Sequence, residues 1–199
     1  LLACLIEKVA YKPLRSAPRI SLLITAIGVS LLLQNLAQLI FGANSQPYPG
    51  SSIIPKGSVA IGSLSVSYTA IVTLAVTIVA MLILTWLVQK SKMGKAMRAV
   101  SEDMGAAQLM GINVNNTITF TFAVGSALAG IGAVLYCCRY TQVSPTMGSL
   151  LGLKAFVAAV LGGIGSIPGA MLGGLAIGLC EVLVTALGGS AWTDAVVFG

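Results

Sequence analysis

Charge is scarce in this sequence, histidine is absent, and no complete nucleotide-binding signature occurs. Only 8% of the 199 residues are charged, eleven basic and five acidic, while 57% are apolar; the mean hydropathy is +0.98. A soluble domain carries about 25% charged residues, so a chain this poor in charge cannot cover a surface facing water. That excludes a soluble globular protein. It also excludes a disordered chain, which requires low hydrophobicity and high charge. Without histidine there is no imidazole catalysis and the commonest metal ligand is missing. The cysteines form no metal set. Cys4 and Cys180 are isolated in apolar sequence, and Cys137 and Cys138 are adjacent rather than spaced as C-x-x-C, which suits core filling. No cofactor is expected. The phosphate-cradling pattern G-x4-G-K-[ST] fails because Gly94-Lys95 is followed by Ala96 and has Gln89 where the first glycine belongs. Gly163-x-Gly165-x-x-Pro168 likewise fails the dinucleotide fingerprint. ATP hydrolysis is therefore not expected of the chain itself.

The charge that is present is clustered. Glu7, Lys8, Lys12, Arg15 and Arg19 fall in one stretch and Lys90, Lys92, Lys95, Arg98, Glu102 and Asp103 in another, leaving Lys56, Arg139, Lys154, Glu181 and Asp194 scattered. Between the clusters lie runs long enough for the ~20 apolar residues that cross roughly 30 Å of hydrocarbon. Full spans are expected over 20–41, 66–89 and 114–136, followed by a pair over 145–161 and 168–187 joined by the glycine turn 162–167. The fold class is all-α, a polytopic membrane bundle forming a single domain over 1–199, with a cytoplasmic segment over 90–113. Residues 1–6 and the run after Asp194 read as parts of further helices, so both ends look cut and span counts are minimum values.

Orientation follows from Lys and Arg, which accumulate in cytoplasmic loops. Lys8, Lys12, Arg15 and Arg19 precede the first full span, and Lys90, Lys92, Lys95 and Arg98 follow the second. The loop between them holds only Lys56, and the loop after Tyr136 only Arg139. The first and third spans then run outward and the second inward, with the fourth inward and the fifth outward. The net charge of +6 is accordingly read against an anionic leaflet rather than as a nucleic-acid surface. Tyr68, Trp86, Tyr136, Tyr140 and Trp192 suit an interfacial belt. In the outer loop, Val59, Ile61, Leu64 and Val66 alternate around Gly62-Ser63, the pattern of a short hairpin.

Candidate functional residues fall into three groups. Small residues recur as Gly169-x3-Gly173, Gly174-x3-Gly178, Gly125-x3-Ala129-x3-Ala133 and Ser126-x3-Gly130, ridges that let helices approach closely in lipid. Lys154 and Glu181 lie inside spans, about 14 Å and about 9 Å from the outer helix ends, and each costs at least about 2.5 kcal/mol unless paired or wet. An ion pair between the fourth and fifth helices is expected, acting as structural glue or as a proton relay. Gln34, Asn35 and Gln38 on the first span, and Thr69, Thr73 and Thr77 on the second, form polar faces that line a pathway or hydrogen-bond across helices.

The third group is cytoplasmic. Residues 91–100 form a basic interfacial helix; Asp103 is placed as an N-cap for a short helix over 104–110, closed by Gly111. Ala106, Ala107, Leu109 and Met110 have no reason to be apolar there unless something docks on them or the helix lies against the chain's own bundle.

These motifs carry a resemblance. The run 7–15, the run 23–30, Gly94-Lys95-Ala96-Met97-Arg98-Ala99, Ala106-Ala107-x3-Gly111-Ile112-Asn113, Lys154-Ala155-Phe156 and 162–170 together resemble the permeases of bacterial high-affinity branched-chain amino acid ABC importers, across nearly the whole chain. The resemblance implies a transport subunit of the bacterial inner membrane, working by alternating access. Its implied partners are a second, homologous permease, two cytosolic ATPase subunits and a periplasmic binding protein. It also implies that the segment with Asp103, Gly105, Ala106, Ala107, Leu109, Met110 and Gly111 is the coupling helix that meets the ATPase. The family pattern there is Glu-Ala-Ala-x3-Gly, and Gly105 occupies the Glu position, which excludes a carboxylate contact from it. Permeases for urea or short amides are similar, and sugar permeases more distantly so. An ion-coupled secondary transporter using Lys154 and Glu181, and a channel or structural membrane subunit, are the competing classes.

Overall fold

The computed structural model describes residues 2–14, 19–47, 57–61, 64–140 and 142–188. Arg15, Lys56, Trp192, Asp194 and the hairpin tip Gly62-Ser63 lie outside them. The chain divides into two compact units, Leu1–Pro145 and Thr146–Gly199.

The first unit opens with α1 (Leu2–Ile6), which continues through one wide turn over Glu7–Tyr11 and one tight turn over Lys12–Leu14. In the wide turn Lys12 N–H donates to Glu7 O, five residues back, a π-type bulge. Then follow α2 (Arg19–Phe41), β1 (Gln46–Pro47), β2 (Ser58–Ile61), β3 (Leu64–Ser67), α3 (Tyr68–Lys90), α4 (Lys92–Glu102), α5 (Met104–Leu109), α6 (Val114–Arg139) and β4 (Gln142–Val143). The second unit is a helical hairpin of α7 (Met147–Leu161) and α8 (Ile167–Ala186).

Among the described residues four helices, at 20–41 within α2 and over α3, α6 and α8, are long and apolar enough to cross a membrane. They are apolar all round, the pattern of a helix whose solvent is lipid or protein on every side. Large side chains such as Leu39, Ile40 and Trp86 are accordingly exposed along them. α7 has 15 residues, about 22 Å, shorter than a full span.

Strand pairing fixes which loops of the first unit share a side. β2 and β3 pair antiparallel with Val59 opposite Val66 and Ile61 opposite Leu64, the register of the expected hairpin. β1 pairs with β4, Gln46 opposite Val143, which puts the loop after α2 and the loop after α6 on one side of the unit. At the other side the end of α3, α4, α5 and the start of α6 pack together.

Candidate functional site

Among the described residues, most of the buried side chains of the first unit lie at this second side. Ser91 is the only residue between α3 and α4. Its hydroxyl caps both helices, accepting from Gly94 N–H at 2.9 Å and donating to Leu87 O. Gly94 sits against the Leu87 and Val88 carbonyls, where a Cβ would overlap backbone. A glycine is therefore required for α4 to leave α3 at this angle.

α5 is bounded at both ends by its own sequence. Asp103 Oδ1 accepts from Gly105 N–H at 2.7 Å and Ala106 N–H at 3.1 Å, the side-chain capping of an N-terminus. At the other end Gly111 takes φ +80°, with Gly111 N–H donating to Gln108 O and Ile112 N–H to Ala107 O, both at 3.0 Å. That pair of bonds across a left-handed glycine is a Schellman closure, usually accompanied by an apolar contact between the residues flanking it. Here Ile112 packs with Ala107 in a small core of Val100, Ala107 and Val114.

The structure separates the apolar residues of α5. Ala107 is buried at 3% exposure, while Leu109 is 91% and Met110 82% exposed; Ala106 is also exposed. Ala107 is thus not part of an outward docking face, contrary to expectation: it faces the chain's own α4 and α6 because residues 107 and 106 lie on different sides of the helix. Asp103 is occupied as a cap.

A buried carboxylate escaped the sequence reading. Glu7 is fully buried and Thr119 Oγ1, on α6, donates to its Oε2 at 2.9 Å. Tyr11 packs on Phe122 with ring centroids 5.0 Å apart. Glu7 counted as one charge in a basic cluster; its only visible signal was being the sole acid there, next to an apolar run.

In the second unit, Lys154 Nζ stands 2.7 Å from Glu181 Oε1, with the two side chains 27% and 31% exposed. The hairpin that aligns them has glycine backbones in contact. A Cβ at Gly162 would overlap Gly169, and one at Gly173 would overlap the Ala158 carbonyl. Gly163 at φ +88° and Gly165 at φ +100° make the turn. The Gly174 and Gly178 ridge differs: a Cβ at Gly174 would make ordinary contact with Ala158, and nothing lies within 4 Å of Gly178.

The polar faces of α2 and α3 bond to their own helices rather than across to others. Gln34 Nε2 donates to Ser30 Oγ at 3.3 Å, Asn35 Nδ2 to Leu31 O at 2.7 Å, and Thr73 and Thr77 to the carbonyls four residues back. Such local bonds satisfy a polar group in lipid without a partner helix. Gln38 lies on the Gln34 face, half-buried. A groove between α3 and α6, about 180 Å³, is lined only by apolar side chains, among them Val76, Ala80, Leu84, Val124 and Leu128; it offers no hydrogen-bond partner to a polar solute.

The family model for branched-chain amino acid transport system permease components matches residues 1–199. The chain belongs to that family. The permease chain is 43% identical over 198 residues to the Pseudomonas aeruginosa high-affinity branched-chain amino acid transport system permease protein BraD, covering 98% of this chain and 64% of the relative. It is 44% identical over 197 residues to LivH of Salmonella typhimurium, covering 97% and 63%, and 42% identical over 198 residues to LivH of Escherichia coli K12, with the same coverage. The permease chain thus spans less than two thirds of the length of these relatives. No solved structure matches it.

Proposed function

We propose that this permease chain belongs to the membrane-spanning part of an ATP-driven importer that moves branched-chain amino acids across the bacterial inner membrane by alternating access. The partners proposed are a second homologous permease, two cytosolic ATPase subunits and a periplasmic binding protein. The observation that carries the reading is the capped helix α5, which holds Leu109 and Met110 exposed while its inner side rests on Val100 and Val114; in this reading that face is cytoplasmic. Exposed apolar side chains on a rigid, water-facing helix are suited to a protein partner. Residues 90–113 are the coupling segment in this reading, and Leu109, Met110 and Ala106 are its contact face. Their rigid link to α3 and α6 gives a push on α5 a direct path into two spans. In the second unit, the Lys154–Glu181 pair serves as glue between α7 and α8.

The test is to replace Leu109 and Met110 together by Asp in the complete transporter. ATPase subunits are expected to co-purify on the order of thirtyfold less well, the loss of an interface anchor worth about 2 kcal/mol, and uptake of leucine to fall with them, while membrane insertion is retained. Unchanged co-purification and uptake would overturn the reading. Urea in place of leucine as the transported solute would retain the permease class and replace the substrate.

A further inference from the structure

The end of α3 joins two features that the coupling reading leaves unused: a strip of basic side chains and a wholly apolar groove. On α4, Lys92, Lys95 and Arg98 recur every three residues and are all exposed, while Gly94 and Val100 on the other side are buried. Among the described residues none of Lys90, Lys92, Lys95 or Arg98 forms an ion pair; Arg98 reaches only the Gln89 carbonyl, at 3.4 Å. Four positive charges fall within nine residues, with the acids Glu102 and Asp103 only beyond Arg98, so an anion placed among Lys90, Lys92 and Lys95 is attracted to all of them. Because Gly94 rests on the last carbonyls of α3, this strip is held where a spanning helix leaves the hydrocarbon.

The groove ends at the same place. On α3 it is lined by Val76, Ala80, Ile83 and Leu87, and Lys90 continues that stripe at the same helical spacing. From Val76 to Leu87 the rise is about 17 Å, close to half of the roughly 30 Å hydrocarbon thickness, the depth of one leaflet. A cationic cluster at the mouth of an apolar groove one leaflet deep fits a molecule with an anionic head and an acyl chain. We propose that this is a binding site for an anionic phospholipid of the cytoplasmic leaflet, its headgroup among Lys90, Lys92 and Lys95 and one acyl chain along α3 and α6. The depth of the groove and the sign of the charge at its mouth favour a lipid over an acidic protein, which would use the charge and leave the groove empty.

Trp86 lies between Ile83 and Lys90 at helical spacing and is 66% exposed, so it reports on this site. The complete transporter, with its other tryptophans changed to Phe, is placed in phosphatidylcholine nanodiscs containing dibrominated phosphatidylglycerol or, separately, dibrominated phosphatidylcholine. Brominated phosphatidylglycerol is expected to quench Trp86 with an apparent affinity about fivefold or more above that of the zwitterion, the factor that one basic side chain near a surface supplies. The preference is expected to vanish in 1 M salt, where the screening length is about 3 Å. It is also expected to vanish in the Lys90→Gln/Lys92→Gln/Lys95→Gln variant and to survive when the same three become Arg. Ala80→Phe, which fills the groove without touching charge, is expected to reduce quenching by both lipids. Equal quenching by the two lipids in the unaltered protein, or an unchanged preference in the Lys→Gln variant, would overturn the proposal. Quenching by neither would mean that a protein segment fills the groove, and would overturn it too. None of these readouts depends on the substrate or on ATPase docking.

Discussion

Ala106 and Ala107 are neighbours in the chain and opposites in the fold, because a helix turns about 100° from one residue to the next. Ala107 fills the gap between Val100 and Val114, whereas Ala106 projects outward. Ala107→Leu is expected to overpack that core and cost about 1–3 kcal/mol, read as a lower unfolding temperature of the detergent-purified protein. Ala106→Leu is expected to leave unfolding unchanged. Glycines divide in the same way. Gly173→Val forces a side chain into the Ala158 carbonyl and is expected to separate α7 from α8, whereas Gly178→Val meets open space; a cross-link between cysteines placed on α7 and α8 distinguishes them. Reversing one charge of the Lys154–Glu181 pair leaves two like charges side by side in lipid, at a cost of about 2–3 kcal/mol each when unpaired. Lys154→Glu alone and Glu181→Lys alone are expected to lower the yield of folded protein, and the double reversal to restore it. The four-residue recurrence of small residues was readable in the sequence; which ridge meets a helix was not, because spacing defines a face and says nothing of its neighbour.

At the scale of the element, short α5 is the best specified, with Asp103 at one end and Gly111 at the other. Six residues are too few for a helix to persist on propensity, so its caps and its seat on α4 and α6 must hold it. Asp103→Ala is expected to cost about 1 kcal/mol, and Gly111→Ala about 1–2 kcal/mol for the left-handed backbone it would have to adopt. Hydrogen exchange of residues 104–110 is expected to accelerate in both, with α3 and α6 unaffected. These caps were legible because a side chain bonding its own backbone acts within four residues. The turn at Glu7–Tyr11 was not, since a five-residue bond leaves no periodic mark, and the burial of Glu7 depends on Thr119, over a hundred residues away. By sequence Gln34, Asn35 and Thr73 are candidates for contacts between helices, yet Asn35 and Thr73 donate to the carbonyl four residues back and Gln34 to the Ser30 hydroxyl, acceptors on the same helix that are always within reach.

Across the molecule, the pairing of Gln46 with Val143 ties the ends of α2 and α6 together. In a background free of native cysteine, Gln46→Cys with Val143→Cys is expected to form a disulfide under oxidation, seen as a shift in non-reducing electrophoresis. Gln46→Cys alone is not expected to form one between the strands. An absent cross-link would disprove the register. Two-residue strands have no pattern that a sequence can display, so this closure was invisible beforehand, whereas the β2–β3 hairpin declared itself by alternation.

What the sequence determined by itself is the medium and the spans. Those follow from sums over many residues, the scarcity of charge and its confinement to two basic segments, and no single contact can alter them. Tertiary structure alone decided which apolar residue of α5 is buried, that Thr119 of α6 meets the buried Glu7, and that α3 and α6 frame an apolar groove. Each of these depends on what a second element presents at one point, and a helix made apolar on every side by its lipid surroundings carries no mark of which side another helix will cover.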